Sequence, residues 1–153
     1  MKLAHINLVA RNAATLAAFY MDVAKCELLR EPRVLSGDKV SRGNGLPDCE
    51  IYSIWLKFPE LEWPFLEIHQ HKAIHPRGLP KVNEPGYGHL SFQVYDIGNT
   101  LFDIVEAGGS QIGQTTNFGT PQKPYFFSYA RDPEGNMLGL EQIAALVWGE
   151  ITD

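Results

Sequence analysis

Pro85-Gly86-Tyr87-Gly88-His89-Leu90-Ser91-Phe92-Gln93-Val94-Tyr95-Asp96 reads as a loop, then a strand, then a helix cap. In the strand, His89, Ser91 and Gln93 fall on one face, and Leu90, Phe92 and Val94 on the other. The apolar face suits a core beneath a helix, and the polar face, headed by a histidine, suits the wall of a wet cleft. The same plan stands near the N-terminus, where His5, Asn7 and Val9 alternate with Ile6, Leu8 and Ala10, and Asn12 takes the capping place. The two copies start 84 residues apart, His5 against His89.

Working outward, each copy opens a run of strand, helix and three strands. The first runs through a strand from Leu3 to Ala10 and a helix whose apolar residues Leu16, Phe19, Tyr20 and Val23 recur at helical spacing. Strands over 26–30, 50–58 and 65–71 follow. Residues 31–48, with two prolines and three glycines, read as a loop holding a ragged strand. Residues 72–88 carry three prolines and three glycines without any period, and read as the linker. In the second copy the spacing predicts strands over 89–95, 110–114, 125–131 and 137–142, with a helix from Asp96 to Ala107 stopped by Gly108-Gly109. Asp132-Pro133-Glu134-Gly135-Asn136 is a strong turn. A helical turn is expected over 144–148. The expectation is an α+β fold of two paired βαβββ modules, 1–71 and 89–153, forming one domain.

The bulk numbers remove several functions. The chain has 153 residues, a net charge of −5 and a pI near 5.5, so no basic field exists to gather phosphates. Nucleic acid is not expected as a partner, nor is a membrane. Nothing approaches an 18-residue apolar run, and no signal-peptide core precedes the first strand. Cys26 and Cys49 stand apart, as free thiols of a cytoplasmic protein do.

Aligning Phe65-Leu66-Glu67-Ile68 with Gly139-Leu140-Glu141-Gln142 makes Glu67 the counterpart of Glu141, as His5 is of His89. Two imidazoles and two carboxylates suit a divalent first-row ion such as Zn, Ni, Co, Mn or Fe. Four ligands leave an octahedral ion two positions for water or a chelating substrate, whose carbonyl it would polarise. His69, two residues after Glu67, is a reserve ligand, while His71 and His75 read as surface residues. Asn7, Ser91 and Gln93 are candidates for substrate hydrogen bonds. Tyr125, Phe127 and Tyr129 alternate on one strand face and offer an apolar wall.

The sequence resembles the vicinal-oxygen-chelate superfamily, which includes glyoxalase I, methylmalonyl-CoA epimerase, fosfomycin-resistance proteins and extradiol dioxygenases. The resemblance rests on His-Ile-Asn-Leu-Val, Gly-His-Leu-Ser-Phe-Gln-Val-Tyr-Asp-Ile, Phe-Tyr in the first helix, and Asp-Pro-Glu-Gly-Asn before Leu-Glu. It implies curled sheets around a U-shaped metal cleft, with His5, Glu67, His89 and Glu141 as ligands. It also implies a homodimer, in which modules pair within or between chains, and a small-molecule substrate. Glyoxalase I shares the His/Glu/His/Glu set, with its last Glu implicated in proton transfer, but its glutathione-holding Arg is replaced here by Val9. Glu50, 17 residues before Glu67, resembles the acid/base Glu of the epimerase, and would pair with Glu141 across an enolised carbon. The expected activity is therefore metal-dependent isomerase, epimerase or lyase chemistry. The alternatives are an Fe(II) extradiol dioxygenase using His5, His89 and Glu141, and a metal-free binding protein of the bleomycin-resistance kind.

Overall fold

The computed structural model describes residues 1–143, so the helical turn expected over 144–148 lies outside the described residues. The chain divides into two compact units, Met1–Gly78 and Leu79–Asp153. The first holds β1 (His5–Val9), α1 (Ala13–Val23), β2 (Glu27–Ser36), α2 (Asp38–Asn44), β3 (Glu50–Lys57) and β4 (Phe65–His71). Its sheet runs β1-β4-β3-β2. β1 lies parallel to β4, and the other neighbours are antiparallel. The second unit holds β5 (Leu90–Gln93), α3 (Ile97–Glu106), β6 (Ser110–Asn117), β7 (Tyr125–Arg131) and β8 (Met137–Ile143). Its sheet, β5-β8-β7-β6, repeats the pattern, again with one parallel pair. The α+β fold of two βαβββ modules follows directly.

α1 and α3 each cover one face of their own sheet. α1 buries Ala13, Leu16, Ala17, Phe19 and Tyr20, and the sheet meets them with Ile54, Leu56, Leu66 and Ile68, all buried. Each such aliphatic side chain contributes about 1.5–3 kcal/mol of transfer free energy. The entries to the helices are duplicated in chemistry as well as in place. Asn12 accepts a hydrogen bond from the Thr15 amide at 3.0 Å, and Asp96 accepts one from Asn99 at 2.9 Å. One residue further in, the Gln70 carboxamide oxygen of β4 takes the Ala13 amide at 2.9 Å, and Gln142 of β8 takes the Ile97 amide at 2.8 Å. A first-turn donor that would otherwise need water is thereby tied to the last strand.

The structure corrects the reading of 31–48. β2 continues through Pro32 to Ser36, and α2 follows it. Two bulges, between Leu28 and Arg30 and between Arg30 and Arg33, break the alternation that would have marked a strand. β2 is an edge strand, where a proline is tolerated. β6 likewise outruns its expected end, reaching Asn117 past an irregularity between Ile112 and Thr116 that contains Gly113 at φ 64°. β5 is shorter than expected, and His89 sits just before its first residue. Part of the expected linker belongs to the second unit, where Arg131 donates to the Pro80 carbonyl at 2.7 Å and to the Gly135 carbonyl at 2.9 Å. The turn at 132–136 forms around Asp132, 3% exposed, whose carboxylate takes the Glu134 and Asn136 amides and the Asn136 side chain.

Candidate functional site

In the first unit the site lies on the sheet face away from α1. β1 and β4 pair Asn7 with Glu67, and β4 and β3 pair Glu67 with Trp55. These neighbours converge on the Glu67 carboxylate, itself 9% exposed. Trp55 Nε1 donates to Oε1 and Asn7 Nδ2 donates to Oε2, both at 2.9 Å. Asn7, expected to bind substrate, thus also orients this carboxylate. His5 Nε2 stands 3.5 Å from Oε2, and His69 Nε2 stands 3.1 Å from Oε1. The His69 approach is not aligned as a hydrogen bond, so Nε2 is a buried nitrogen without a hydrogen-bond partner. Burial pushes the His69 pKa down, and the Glu67 carboxylate pulls it only part of the way back.

This arrangement fits a divalent ion at His5 and Glu67. A separation of 3.5 Å is too long for a hydrogen bond. Two donors each about 2.1 Å from one shared ion stand roughly 3.0 Å apart at an octahedral angle and roughly 3.4 Å at a tetrahedral one, so the pair is close to ion-sharing distance. The two N–H groups on Glu67 act as outer supports that fix a ligating carboxylate. Among the described residues, no three His, Cys, Asp or Glu side chains are gathered to hold an ion, so the unit offers a pair of ligands rather than a closed cage.

The second unit presents the corresponding face differently. The duplicated glutamine caps, Gln70 and Gln142, fix which residues of β4 and β8 correspond, and the strand registers agree. Asn7 faces Glu67 as Ser91 faces Gly139, and Trp55 faces Glu67 as Tyr129 faces Gly139. The counterpart of Glu67 is therefore Gly139, and Glu141 stands where the first unit has His69. Matching the two Leu-Glu pairs had shifted the alignment by two residues, which keeps the face and hides the error.

At Gly139 no carboxylate is replaced by empty space. A Cβ there would lie 2.8 Å from His89 Cδ2, 2.9 Å from Phe127 Cζ and 3.0 Å from Ser91 Oγ. Those rings form an edge-on cluster, with His89 5.2 Å from Tyr129 and 6.1 Å from Phe127 by ring centroid, and Phe127 4.7 Å from Tyr129. Glu141 is held by the Ser91 hydroxyl, which donates to Oε1 at 2.5 Å. Burial first, and the Glu141 carboxylate beside it second, push the Tyr125 phenol above its ordinary pKa. Gln93 lies opposite Glu141 in the register and is exposed.

Glu50 is not brought to Glu67. The β3–β4 register places Ile51, Ser53 and Trp55 on the Glu67 face, so Glu50 points to the other side, exposed near Tyr52 and Gln70. His75 is exposed as expected, but His71 is half-buried, with Nδ1 3.8 Å from the buried Cys49 thiol. Sequence reasoning missed Trp55 as a support of Glu67 and Tyr125 as a neighbour of Glu141. For Tyr125, the alternation of the aromatics in β7 was the available signal.

No protein-family model and no curated protein sequence matches the chain. Solved structures do. A glyoxalase family protein from Bacillus cereus superposes with a TM-score of 0.83 at 18% identity, covering 95% of each chain. A glyoxylase/bleomycin resistance protein/dioxygenase domain from Frankia gives 0.64 at 17% identity, over 96% of this chain and 95% of that one. The fosfomycin resistance protein FosX from Listeria monocytogenes, solved with Mn(II) and 1S,2S-dihydroxypropylphosphonic acid, gives 0.57 at 18% identity, covering 91% and 90%. Two four-stranded mixed sheets, each with one parallel pair and a covering helix, thus give this chain the fold of the glyoxalase, bleomycin-resistance and dioxygenase proteins.

Proposed function

We propose that the protein is a divalent-metal-dependent enzyme that moves a proton at the carbon alpha to a carbonyl of a small molecule. The observation that carries this reading is the His5–Glu67 pair, two donors close to ion-sharing distance with both carboxylate oxygens fixed by N–H groups. His89, the sequence counterpart of His5, is proposed as a metal ligand carried by the second unit. When bound, the ion supplies a Lewis acid that polarises the substrate carbonyl.

The chain's own groups do the rest. Glu141 is assigned the proton transfer rather than a ligand position, because the counterpart of Glu67 is Gly139. The Ser91 hydroxyl holds one Glu141 oxygen and leaves the other to take the proton. Tyr125, kept protonated by its raised pKa, remains a neutral neighbour of that carboxylate near neutral pH. The ring cluster of His89, Phe127 and Tyr129 gives the substrate an apolar wall and excludes water there. Glu50 has no part in this reading. The protein works as a homodimer in a reducing cytoplasm, in keeping with two buried free cysteines. No helix among the described residues is long and apolar enough to cross a membrane.

The test is metal content after purification without added metal, beside His5→Ala and Glu67→Gln variants. About one equivalent of a first-row ion per chain, lost in both variants, supports the reading. A protein that refuses Ni, Co, Zn and Mn alike overturns it and leaves the metal-free binding alternative.

A further inference from the structure

The bulges of β2 decide which way its arginines face. Leu28 pairs with Leu56, Arg30 with Trp55 and Arg33 with Ser53. An unbroken ladder from Leu28 would set Leu29 opposite Trp55 and leave Arg30 on the α1 side. The extra residue at the first bulge turns Arg30 over, and the second bulge brings Arg33 to the same side. Arg30, Trp55, Glu67 and Asn7 consequently form one row across β2, β3, β4 and β1.

Arg30 is held but chemically unspent. Its guanidinium carbon lies 3.4 Å from the centroid of the Trp55 ring, and its Nε is buried without a hydrogen-bond partner. Among the described residues it makes no ion pair, whereas Lys57 on the neighbouring strand is matched to Glu27 at 2.9 Å. A half-buried guanidinium without a carboxylate has donors to offer a ligand, and the flat Trp55 ring beneath it fixes their direction. Arg33, exposed and two strands from His69, adds positive charge on that side.

We propose that Arg30, with Arg33 beside it, is the anion site for the substrate, which is a small carboxylic acid. Its carboxylate lies on Arg30, and its reacting carbonyl lies toward His5 and Glu67. Two strand spacings, roughly 9–10 Å, separate the Arg30 and Glu67 backbones, but the guanidinium folds back over the Trp55 ring, whose Nε1 donates to Glu67, so the anion site lies nearer that carboxylate than the backbones do. This rests on the metal site proposed above and adds to it the charge of the substrate.

The experiment is calorimetric titration of the Mn(II)-loaded protein with suberic acid monohydroxamate and with octanohydroxamic acid. Both carry the same chelating head, and only the first carries a distal carboxylate. The charged ligand is expected to bind about 10- to 100-fold more tightly, the range of a charge-assisted Arg–carboxylate contact. Arg30→Gln should abolish that margin without changing octanohydroxamate binding, and Arg30→Lys should keep part of it. Equal binding of the two ligands to the wild type, or a margin that survives Arg30→Gln, overturns the anion site and leaves the metal site standing. An Arg30→Gln variant that weakens both ligands equally does the same, since Arg30 then only props Trp55. Failure of both ligands to bind overturns the metal site and the anion site together.

Discussion

Gly139→Ala tests the claim that the second unit has filled, with rings, the place where the first has a carboxylate. The glycine is not required by its backbone, since its φ lies outside the left-handed region. Its requirement is space. The added methyl would stand 2.8, 2.9 and 3.0 Å from His89, Phe127 and Ser91, where ordinary contact begins at 3.4 Å. Three groups, two at β5 and one on β7, must therefore retreat together by several tenths of an ångström. Overpacking of this kind costs about 1–3 kcal/mol. The stiffer unfolded chain returns about 0.4–1 kcal/mol, for a net loss of about 1–2 kcal/mol. Urea unfolding followed by far-UV ellipticity should show a lower midpoint with an unchanged slope. Phe127→Ala removes the ring carbon at 2.9 Å, so Gly139→Ala should cost at least about 1 kcal/mol less in that background. A midpoint that is unchanged or raised by Gly139→Ala, or a penalty independent of Phe127, would refute the close packing of this cluster.

Other consequences are open to measurement. Trp55→Phe strips Glu67 Oε1 of its donor, and metal affinity should fall about 10- to 100-fold by equilibrium dialysis, the usual effect of removing an outer support. Glu141→Gln should keep the metal and lose at least about 100-fold in kcat with an enolisable substrate. A variant with full turnover would remove Glu141 from the mechanism. Burial pushes the Cys26 thiol up to about 12 from 9.0, so it should resist iodoacetamide at pH 8 until the protein unfolds. Because the folded value is the higher one, this contribution to stability is intact below pH 9 and declines as the pH rises towards 12. Asp132→Ala leaves the Glu134 and Asn136 amides without their acceptor in a buried turn, and should lower stability by about 2–4 kcal/mol in thermal unfolding.

What the sequence made legible follows from period. β1 and β5 alternate cleanly, and Asn12 and Asp96 are strong caps, so the opening of each module and its helix could be read from residue order. A bulge shifts the alternation without leaving a mark of its own in the residue types. That is why residue order ends the second strand at Arg30 and leaves its continuation to Ser36 inside a loop with a ragged strand. The site was legible on β1 and β4, where His5 and Glu67 do stand together. On β8 the motif was misread because a shift of two residues leaves every side chain on its proper face. Only the Gln70 and Gln142 caps, which need coordinates to be recognised, reveal the displacement. Glu50 failed for the complementary reason, since distance along the chain carries no sign for which face of β3 a residue occupies.

The paired glutamine caps also bear on how such a chain can change. Each cap sits on the helix side of its sheet, fastened to a backbone amide, and both units retain it. The opposite sides have diverged almost completely. Glutamate stands against glycine, histidine against glutamate, tryptophan against tyrosine and serine against phenylalanine. Anchoring and chemistry are thus carried by alternate residues of the same strand. Selection can rewrite one set while the other goes on holding the helix, so a duplicated module is free to drift towards a new ligand without first risking its own folding.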